Sequence, residues 1–539
     1  MQKRLGRLLP WALSIIIACA AIVLALCGAA GWWPAATLAL AIAALGLRDW
    51  LQGSHAVQRN YPIIGHVRWL FESLRPALRQ YLFEADEEAA PFSRAQRTLV
   101  YRRAKGEAGD HPFGTLIDVY RDGYEFINHS TRPAPVADPT GFRVTIGGNE
   151  CRQPYSASIL NISAMSFGAL SANAIRALNR GAARGGFYHD TGEGSISPYH
   201  REGGDLVWEI GSGYFGCRTD DGRFDPERFA EQAAAPQVRM IEIKLSQGAK
   251  PGHGGILPAA KVSAEIAATR GVPLGRDCIS PACHTAFSTP LELMRFIATL
   301  RDLSGGKPVG FKLCIGHPWE FMGMVKAMLE TGIAPDFIVV DGAEGGTGAA
   351  PVEFTDHIGA PMREGLLFVH NVLVGAGLRQ KIKVGAAGQV ISAFDIASAL
   401  AIGADWVNSA RGFMFALGCI QSLTCNTNRC PTGVATQDPF RQRGLAVPGK
   451  ADRVYQYHAN TLVALAEMIA AAGLSHPDAL GPQHLVRRVS ATEIRQFAQL
   501  HRFLEPGSLL DGTLRGGFYQ TSWHMASASS FDGAASVVA

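Results

Sequence analysis

The chain has 539 residues, 47% of them hydrophobic and 18% charged, with a formal net charge of +4. That length holds roughly two to four domains, or one large barrel with additions. The near-balanced charge, with no basic stripe interleaved with aromatics, excludes nucleic acid as a natural partner. Ten cysteines scattered through so long a chain do not make a dense disulfide framework and point to a reducing compartment.

Residues 8–30 are almost wholly apolar and follow Lys3, Arg4 and Arg7. Such a run meets the length of about 20 residues that a bilayer span needs. A break from Gly31 to Pro34 precedes a second, shorter apolar run over 35–47. Trp32, Trp33 and Trp50 suit interfacial positions, and basic residues before the first run and after the second (Arg48) place both ends on the cytoplasmic side. Residues 1–50 are therefore predicted to form a transmembrane hairpin in the cell (inner) membrane, with the catalytic body in the cytoplasm. A cleaved signal peptide is the competing reading, but the first run is long for one and another apolar run follows it directly.

Residues 51–140 mix charged and aromatic residues and read as a helical or irregular lead-in without a catalytic motif. From about Ser156 the texture changes. The β-branched runs ILNISAM, MIEIKL, VGFKLCI, DFIVVD, KIKVG and DWVNSA alternate with helical stretches. Strand–helix alternation predicts an α/β fold with a parallel sheet and crossover helices. Enough units recur to predict a closed (β/α)8 TIM barrel over 141–449, with its function at the carboxyl ends of the strands.

Several unusual segments fall at those ends. Lys244 closes one strand and Lys312 is embedded in another. A lysine there needs a partner; it either pairs with a barrel carboxylate such as Glu193 or stabilises negative charge on a reduced flavin. The loop SQGAKPGHGG carries Gln247, Lys250 and His253: Lys250 suits a carboxylate, and His253 is a candidate acid or base. The loop after DFIVVD holds Gly342, Gly345, Gly346, Thr347 and Gly348 and can lie flat on a ligand or cradle a phosphate. KIKVG runs into Gly388, and DWVNSA into Arg411 and Gly412; the loops after the last two barrel strands commonly bind phosphate. Gly211, Gly213 and Gly216 match G-x-G-x-x-G, but no helix is predicted after them, so no dinucleotide-binding unit is read here.

Cys419, Cys425 and Cys430 follow, with five residues between the first pair and four between the second. Thiolates at such short spacing can converge on iron–sulfur chemistry, and three of them fit a three-legged cluster; three inert buried thiols are the plainer alternative. Residues 450–539 are predicted to hold one clear helix, near NTLVALAEMIAAAG, and a flexible tail from about Ser527.

Taken in order, ISAMSFGALS, DTGEGS, KLSQGAKPGHGG, GGTGAAP and CNTNRCPTGVATQ resemble the flavin- and iron–sulfur-containing synthase domain of the glutamate synthase family, over about Ser156 to Gln437. The resemblance implies FMN and a [3Fe-4S] cluster on Cys419, Cys425 and Cys430. It implies that Ala164, Met165 and Ser166 line the flavin, that Lys312 faces the pyrimidine edge of its ring, and that Gly388, Arg411 and Gly412 lie near its phosphate, with Gly345, Gly346 and Thr347 also on the cofactor. Lys244, Gln247, Lys250 and Glu193 become the candidate catalytic group, the last three facing a 2-oxo acid. In that family reduced FMN passes a hydride to an imine formed from 2-oxoglutarate and ammonia, giving glutamate.

The sequence also departs from the family. His253 stands where an acidic residue is usual, and ISPACHTAFSTP replaces a segment richer in Pro and His, so the 2-oxo acid and the amine stay open. No amidotransferase domain is read in the chain; the expectation is free ammonia or a partner that supplies it, and an unspecified electron donor. The alternative function is a membrane-anchored flavin and iron–sulfur electron-transfer module that makes no amino acid.

Overall fold

The computed structural model describes residues 7–87, 91–107, 109–110, 112–148, 150–514 and 516–533; Lys3 and Arg4 lie outside them. The chain divides into two compact units, 1–88 and 89–539.

In the first unit, α1 (Leu9–Leu26) and α2 (Trp33–Leu51) form a helical hairpin whose two arms are long and apolar enough to cross a membrane. Small residues pack inward: Ala18, Ala21, Ala25, Ala36 and Ala39 are buried, while Ile16, Leu26, Leu38 and Leu47 are exposed. Small residues at a helix seam let backbones approach closely when no hydrophobic effect drives association. Trp11 ties the arms together, donating its indole N–H to the Ala43 carbonyl at 3.0 Å. After a short helix at Ala56–Asn60 comes α3 (Ile64–Leu78); the carboxylate of buried Asp49 accepts from the Ile63 N–H at 3.0 Å and meets His66 Nε2 at 2.9 Å.

In the second unit, α4 (Arg94–Lys105) opens with a capping box at Ser93 and Gln96 and stops at Gly106 in the left-handed region. The barrel strands are β1 (Leu160–Ile162), β2 (His189–Asp190), β3 (Leu206–Ile210), β4 (Val238–Lys244), β5 (Val309–Leu313), β6 (Phe337–Asp341), β7 (Lys383–Ala387) and β8 (Trp406–Ser409). Each pairs with its neighbour in chain order, and β8 closes on β1 with Val407 opposite Leu160. The predicted closed barrel is present, with two strands beyond the six β-branched runs. β2 has only two residues, too few for a period to register, and the Leu206–Ile210 strand sits among glycine-rich turns.

The crossovers are α5 (Ala172–Gly185), α6 (Pro226–Ala233), a long excursion with α7 (Ala264–Arg270) and α8 (Pro290–Leu303), then α9 (Pro318–Thr331), α10 (Met362–Gly375), α11 (Ala393–Ala401) and α12 (Arg411–Leu417). The connection after β2 has only a short 3-10 turn at Pro198–His200. After Gly216 the next helix begins at Pro226.

The antiparallel hairpin of Arg143–Ile146 and Tyr155–Ser158 closes the amino end of the barrel. Its Tyr155 hydroxyl donates to Asp205 at 3.1 Å and the Gly148 N–H to Asp336 at 2.9 Å, both acceptors lying just before strands. Ile146, Tyr155 and Ala157 pack there against Val207, Met240, Val339 and Trp406. Side chains alternate along a strand, so Glu209, Glu242 and Lys312 form a polar layer one step nearer the carboxyl end. The plugged amino end and the polar layer above it put any ligand at the other mouth.

The C-terminal region is more structured than its sequence indicates. The predicted helix is the C-terminal half of α13 (Val447–Ala471), which packs on α5. Strand Glu125–Ile127 from the lead-in pairs with Leu485–Arg488, joining two regions that the sequence reading kept apart. The expected flexible tail is corrected as far as residue 533. Helix α14 (Phe518–Met525) lies on α9, Lys326 Nζ donates to the Ala526 carbonyl at 2.8 Å, and the Leu291 N–H donates to Ala528 at 3.1 Å.

Candidate functional site

Four of the predicted residues meet at the carboxyl mouth. Lys244, the last residue of β4, donates to Gln247 Oε1 at 2.7 Å and lies 3.3 Å from Glu193. The barrel carboxylate that pairs with Lys244 is thus Glu193. Burial alone would push the Glu193 carboxyl up, but Lys244, Arg270 and Lys250 outweigh it and hold the pKa below the usual value. Lys250 is 7% exposed and makes no hydrogen bond or ion pair through its side chain among the described residues. Burial, and then Lys244, draw its pKa down, with Glu193 opposing.

The loops that carry these groups touch through backbone. The Gly248 N–H donates to Asp341 Oδ2 at 2.9 Å, and a Cβ on Gly248 would sit 1.7 Å from the Gly342 carbonyl oxygen. Only glycine lets the loops after β4 and β6 cross that closely. His284 braces the same loop, with Nε2 2.9 Å from the Lys244 carbonyl and Nδ1 3.0 Å from the Tyr214 hydroxyl. His253 is not drawn into this group; its Nδ1 meets the Gly254 carbonyl at 2.8 Å and its ring packs on Phe354.

Lys312 lies deeper, 4% exposed, in contact with Glu209 and 3.4 Å from Glu242. Burial disfavours its charge, yet Glu209, Glu242, Asp190 and Asp341 keep its pKa well above the ordinary value. Oxygens of Asp190, Glu209 and Glu242 all lie within 4.8 Å of one another. Burial and mutual repulsion push the Asp190 and Glu242 carboxyls up. Three carboxyls thus gather around one ammonium. The sequence reading missed this trio, because its members come from three strands whose register appears only when the barrel closes.

The remaining expected cofactor residues ring the same mouth. Ala164, Met165 and Ser166 follow β1, and the loop after β2 packs on them so tightly that a Cβ on Gly192 would come within 2.7 Å of the Ser166 nitrogen. Gly345 folds back to the Gly342 carbonyl at 2.8 Å, Gly346 lies against the Arg411 guanidinium, and Thr347 is exposed. Gly388 faces Glu344 and Met362, while Gly412 is buried against Ser409 and Tyr457. Arg411 donates to the Glu344 carbonyl at 2.7 Å and lies over the Phe92 ring. It makes no ion pair among the described residues, and burial draws its pKa down to about 10. A half-buried guanidinium without a carboxylate, next to open glycine backbone, fits the phosphate of a mononucleotide.

Cys419, Cys425 and Cys430 all carry free thiols. Burial pushes Cys419 up to about 12, with repulsion from the other two thiols adding to the rise. Burial opposes ionisation of Cys430 as well, but hydrogen bonds from the Thr432 hydroxyl and from the N–H groups of Ala435, Thr432 and Val434 bring that thiol below the usual value. The loop is stitched to the segment after β1. Gln437 Nε2 donates to the carbonyls of Leu170 at 2.8 Å and Gly168 at 3.1 Å, and buried Lys261 donates to Ala169 and Cys425, each at 3.2 Å. Cys419 and Cys425 each feel the charge of Cys430, and a buried cation lies against the Cys425 backbone; thiols at this spacing suit a thiolate-bound cluster. Nothing in the sequence marked Lys261, which stands in an apolar stretch like any core-edge lysine.

The family model of the conserved region in glutamate synthase matches residues 141–475. The glutamate synthase large subunit-like protein YerD of Bacillus subtilis is 38% identical over 499 residues, covering 85% of this chain and 95% of that one. The archaeal-type glutamate synthase (NADPH) of Thermotoga neapolitana is 37% identical over 281 residues, 51% of this chain and 52% of that one, so the match spans about half of that relative. Among solved structures, a flavocytochrome b2 double mutant with pyruvate bound aligns at a TM-score of 0.41 and 14% identity, over 84% of this chain and 92% of that one.

Proposed function

The chain belongs to the glutamate synthase family and is an oxidoreductase of the CH–NH2 class, and from that premise we propose that it reductively aminates a 2-oxo acid, 2-oxoglutarate to glutamate, with ammonia or a partner-supplied amine. FMN and a [3Fe-4S] cluster are its proposed cofactors. The observation that carries this reading is Lys250, a largely buried lysine whose ammonium makes no hydrogen bond or ion pair among the described residues, beside the Glu193–Lys244–Gln247 group. A relay of electrons has no use for such a carboxylate receptor.

When bound, FMN would supply the hydride and the cluster would supply electrons singly. The chain's own residues do the rest. Lys250 and Gln247 receive the substrate carboxylates, and Lys244 fixes Gln247 and Glu193 in place. Glu193, held ionised, stands ready to take a proton from the incoming amine. Lys312, kept protonated by its carboxylates, is assigned to the pyrimidine edge, and Arg411 with Gly388, Gly345, Gly346 and Thr347 to the phosphate end. Ala164, Met165, Ser166 and Gly412 would shape the seat. Cys419, Cys425 and Cys430 would hold the cluster next to the segment after β1. Overall, the 2-oxo acid, ammonia, two electrons and two protons give the amino acid and water.

The two membrane-length helices favour a second reading, a membrane-anchored electron relay. They also make the inner membrane, with the body in the cytoplasm, the proposed location. Anaerobic purification of the full chain in detergent, with flavin and iron quantified, separates the two readings. After dithionite reduction, 2-oxoglutarate with ammonium should reoxidise the flavin and yield glutamate. Failure with every 2-oxo acid tried would leave only the relay.

A further inference from the structure

A cavity of about 520 Å³ opens where the loops after β2 and β3 meet α6 and the end of α7, outside the Glu193–Lys250 group. Four arginines line it, Arg201, Arg218, Arg228 and Arg270, and no carboxylate does. Arg270 is 4% exposed, and its Nε is buried without a partner. Arg218 also has a buried, unpartnered Nε and makes no ion pair among the described residues. The two guanidiniums flank the Phe215 ring, at 5.6 Å for Arg218 and 5.3 Å for Arg270. Asp225 caps α6 and pairs with the lining Arg228, whereas Asp221 pairs with Arg223 and Glu265 accepts from Tyr199, so Arg218, Arg201 and Arg270 keep no ion pair among the described residues. Gly216, at φ +89°, keeps the wall open; a Cβ there would strike the Ser195 hydroxyl at 2.1 Å.

Desolvated guanidinium without an opposing charge is unfavourable, and the volume lies within the range of about 300–1,000 Å³ typical of small-molecule sites. One wall leads inward. Arg270 Nη2 donates to the Phe167 carbonyl at 2.9 Å and to Ser166 Oγ at 3.3 Å, and Arg270 also acts on the charge of Glu193. We propose that this cavity binds a small polyanion, bearing phosphate groups or clustered carboxylates, and that Arg270 transmits its occupancy to the Ser166 segment. The second half rests on the flavin seat proposed above; the first does not.

Titration calorimetry of the detergent-solubilised full chain tests it, with inorganic pyrophosphate in one arm and citrate in the other. Saturable binding of at least one anion is expected, and the arms distinguish phosphate from carboxylate chemistry. Arg218→Ala and the exposed Arg201→Ala should each weaken binding by about tenfold or more. Arg295→Ala, on the exposed side of α8, should not. No saturable heat from either anion, or equal weakening by Arg295→Ala, would overturn the site. The bound anion should also shift the flavin absorption of the wild type and not that of Arg218→Ala; binding without a shift would overturn the coupling through Arg270. Calorimetry needs no turnover, so its outcome is independent of the amination assay.

Discussion

The ammonium of Lys261 lies 3.2 Å from the backbone carbonyl of Cys425 and, from the same atom, 3.2 Å from the carbonyl of Ala169. One buried cation therefore joins the cysteine loop to the segment that leads out of β1, and the charges of Cys425 and Cys430 act favourably on it. Replacing it by Met removes a charge-assisted bond worth about 1.5–3 kcal/mol and the counter-charge of the thiolates. Lys261→Met is expected to lose most of its iron and acid-labile sulfide on purification while keeping its flavin. Elemental analysis beside flavin absorbance checks this; unchanged iron content would show that Lys261 only staples two loops.

Lys250 stands at the mouth with no side-chain partner among the described residues, so its removal should be felt by the substrate and not by the cofactor. Lys250→Ala should raise KM for the 2-oxo acid roughly tenfold to a hundredfold, the loss of one charged hydrogen bond, with flavin content unchanged. Steady-state kinetics and flavin stoichiometry on one preparation decide it. Flavin loss in this variant would mean that Lys250 belongs to the cofactor site.

The crossing of Gly248 over Gly342 leaves no room for a side chain. Gly248→Ala should force the loops after β4 and β6 apart, costing about 3 kcal/mol, the upper end of overpacking effects. Because Gln247 and Lys250 flank the crossing, flavin retention and substrate affinity should fall together. Denaturant unfolding and flavin titration give both numbers, and a variant with wild-type stability would contradict the contact.

Much of this was legible in the sequence where the physics is local. Runs such as Phe337–Asp341 show as strands because buried parallel strands are continuous apolar segments. Lys244, Gln247 and Lys250 stand out because they lie within one loop at a strand end. Glu193 entered first as a possible ion-pair partner of the strand lysine, and its place beside a substrate came only through the family resemblance. His189–Asp190 was too short to register as a strand. Lys312 meets Glu209, more than a hundred positions away, and Glu242 only through barrel closure. Arg270 looks in sequence like an ordinary helix-ending arginine, and only the fold brings it to Ser166.

Glu193 gives the mouth a defined pH response. Its folded pKa lies below the ordinary 4.5, so the stabilisation that it contributes is fully present above 4.5 and is lost as the pH falls through the lower folded value. Stability should therefore decline less steeply below pH 4.5 in Glu193→Gln than in the wild type, while at pH 7 the variant should be the less stable. Urea midpoints across the acid range measure this. Parallel curves would mean that Glu193 is not held ionised by Lys244, Arg270 and Lys250.

Lys312 offers the sharpest test of the barrel's polar layer. Removing one partner of a buried charge pair costs about 3–5 kcal/mol, because the carboxylates that remain have no compensation, whereas replacing both partners can be nearly neutral. Lys312→Met should therefore be strongly destabilised, and adding Glu209→Gln should restore much of the loss. Flavin content should fall in both if Lys312 also serves the pyrimidine edge, and should recover with stability in the double variant if it serves only the barrel. Denaturant unfolding of the two variants, read beside flavin stoichiometry, separates the structural role of this lysine from its cofactor role.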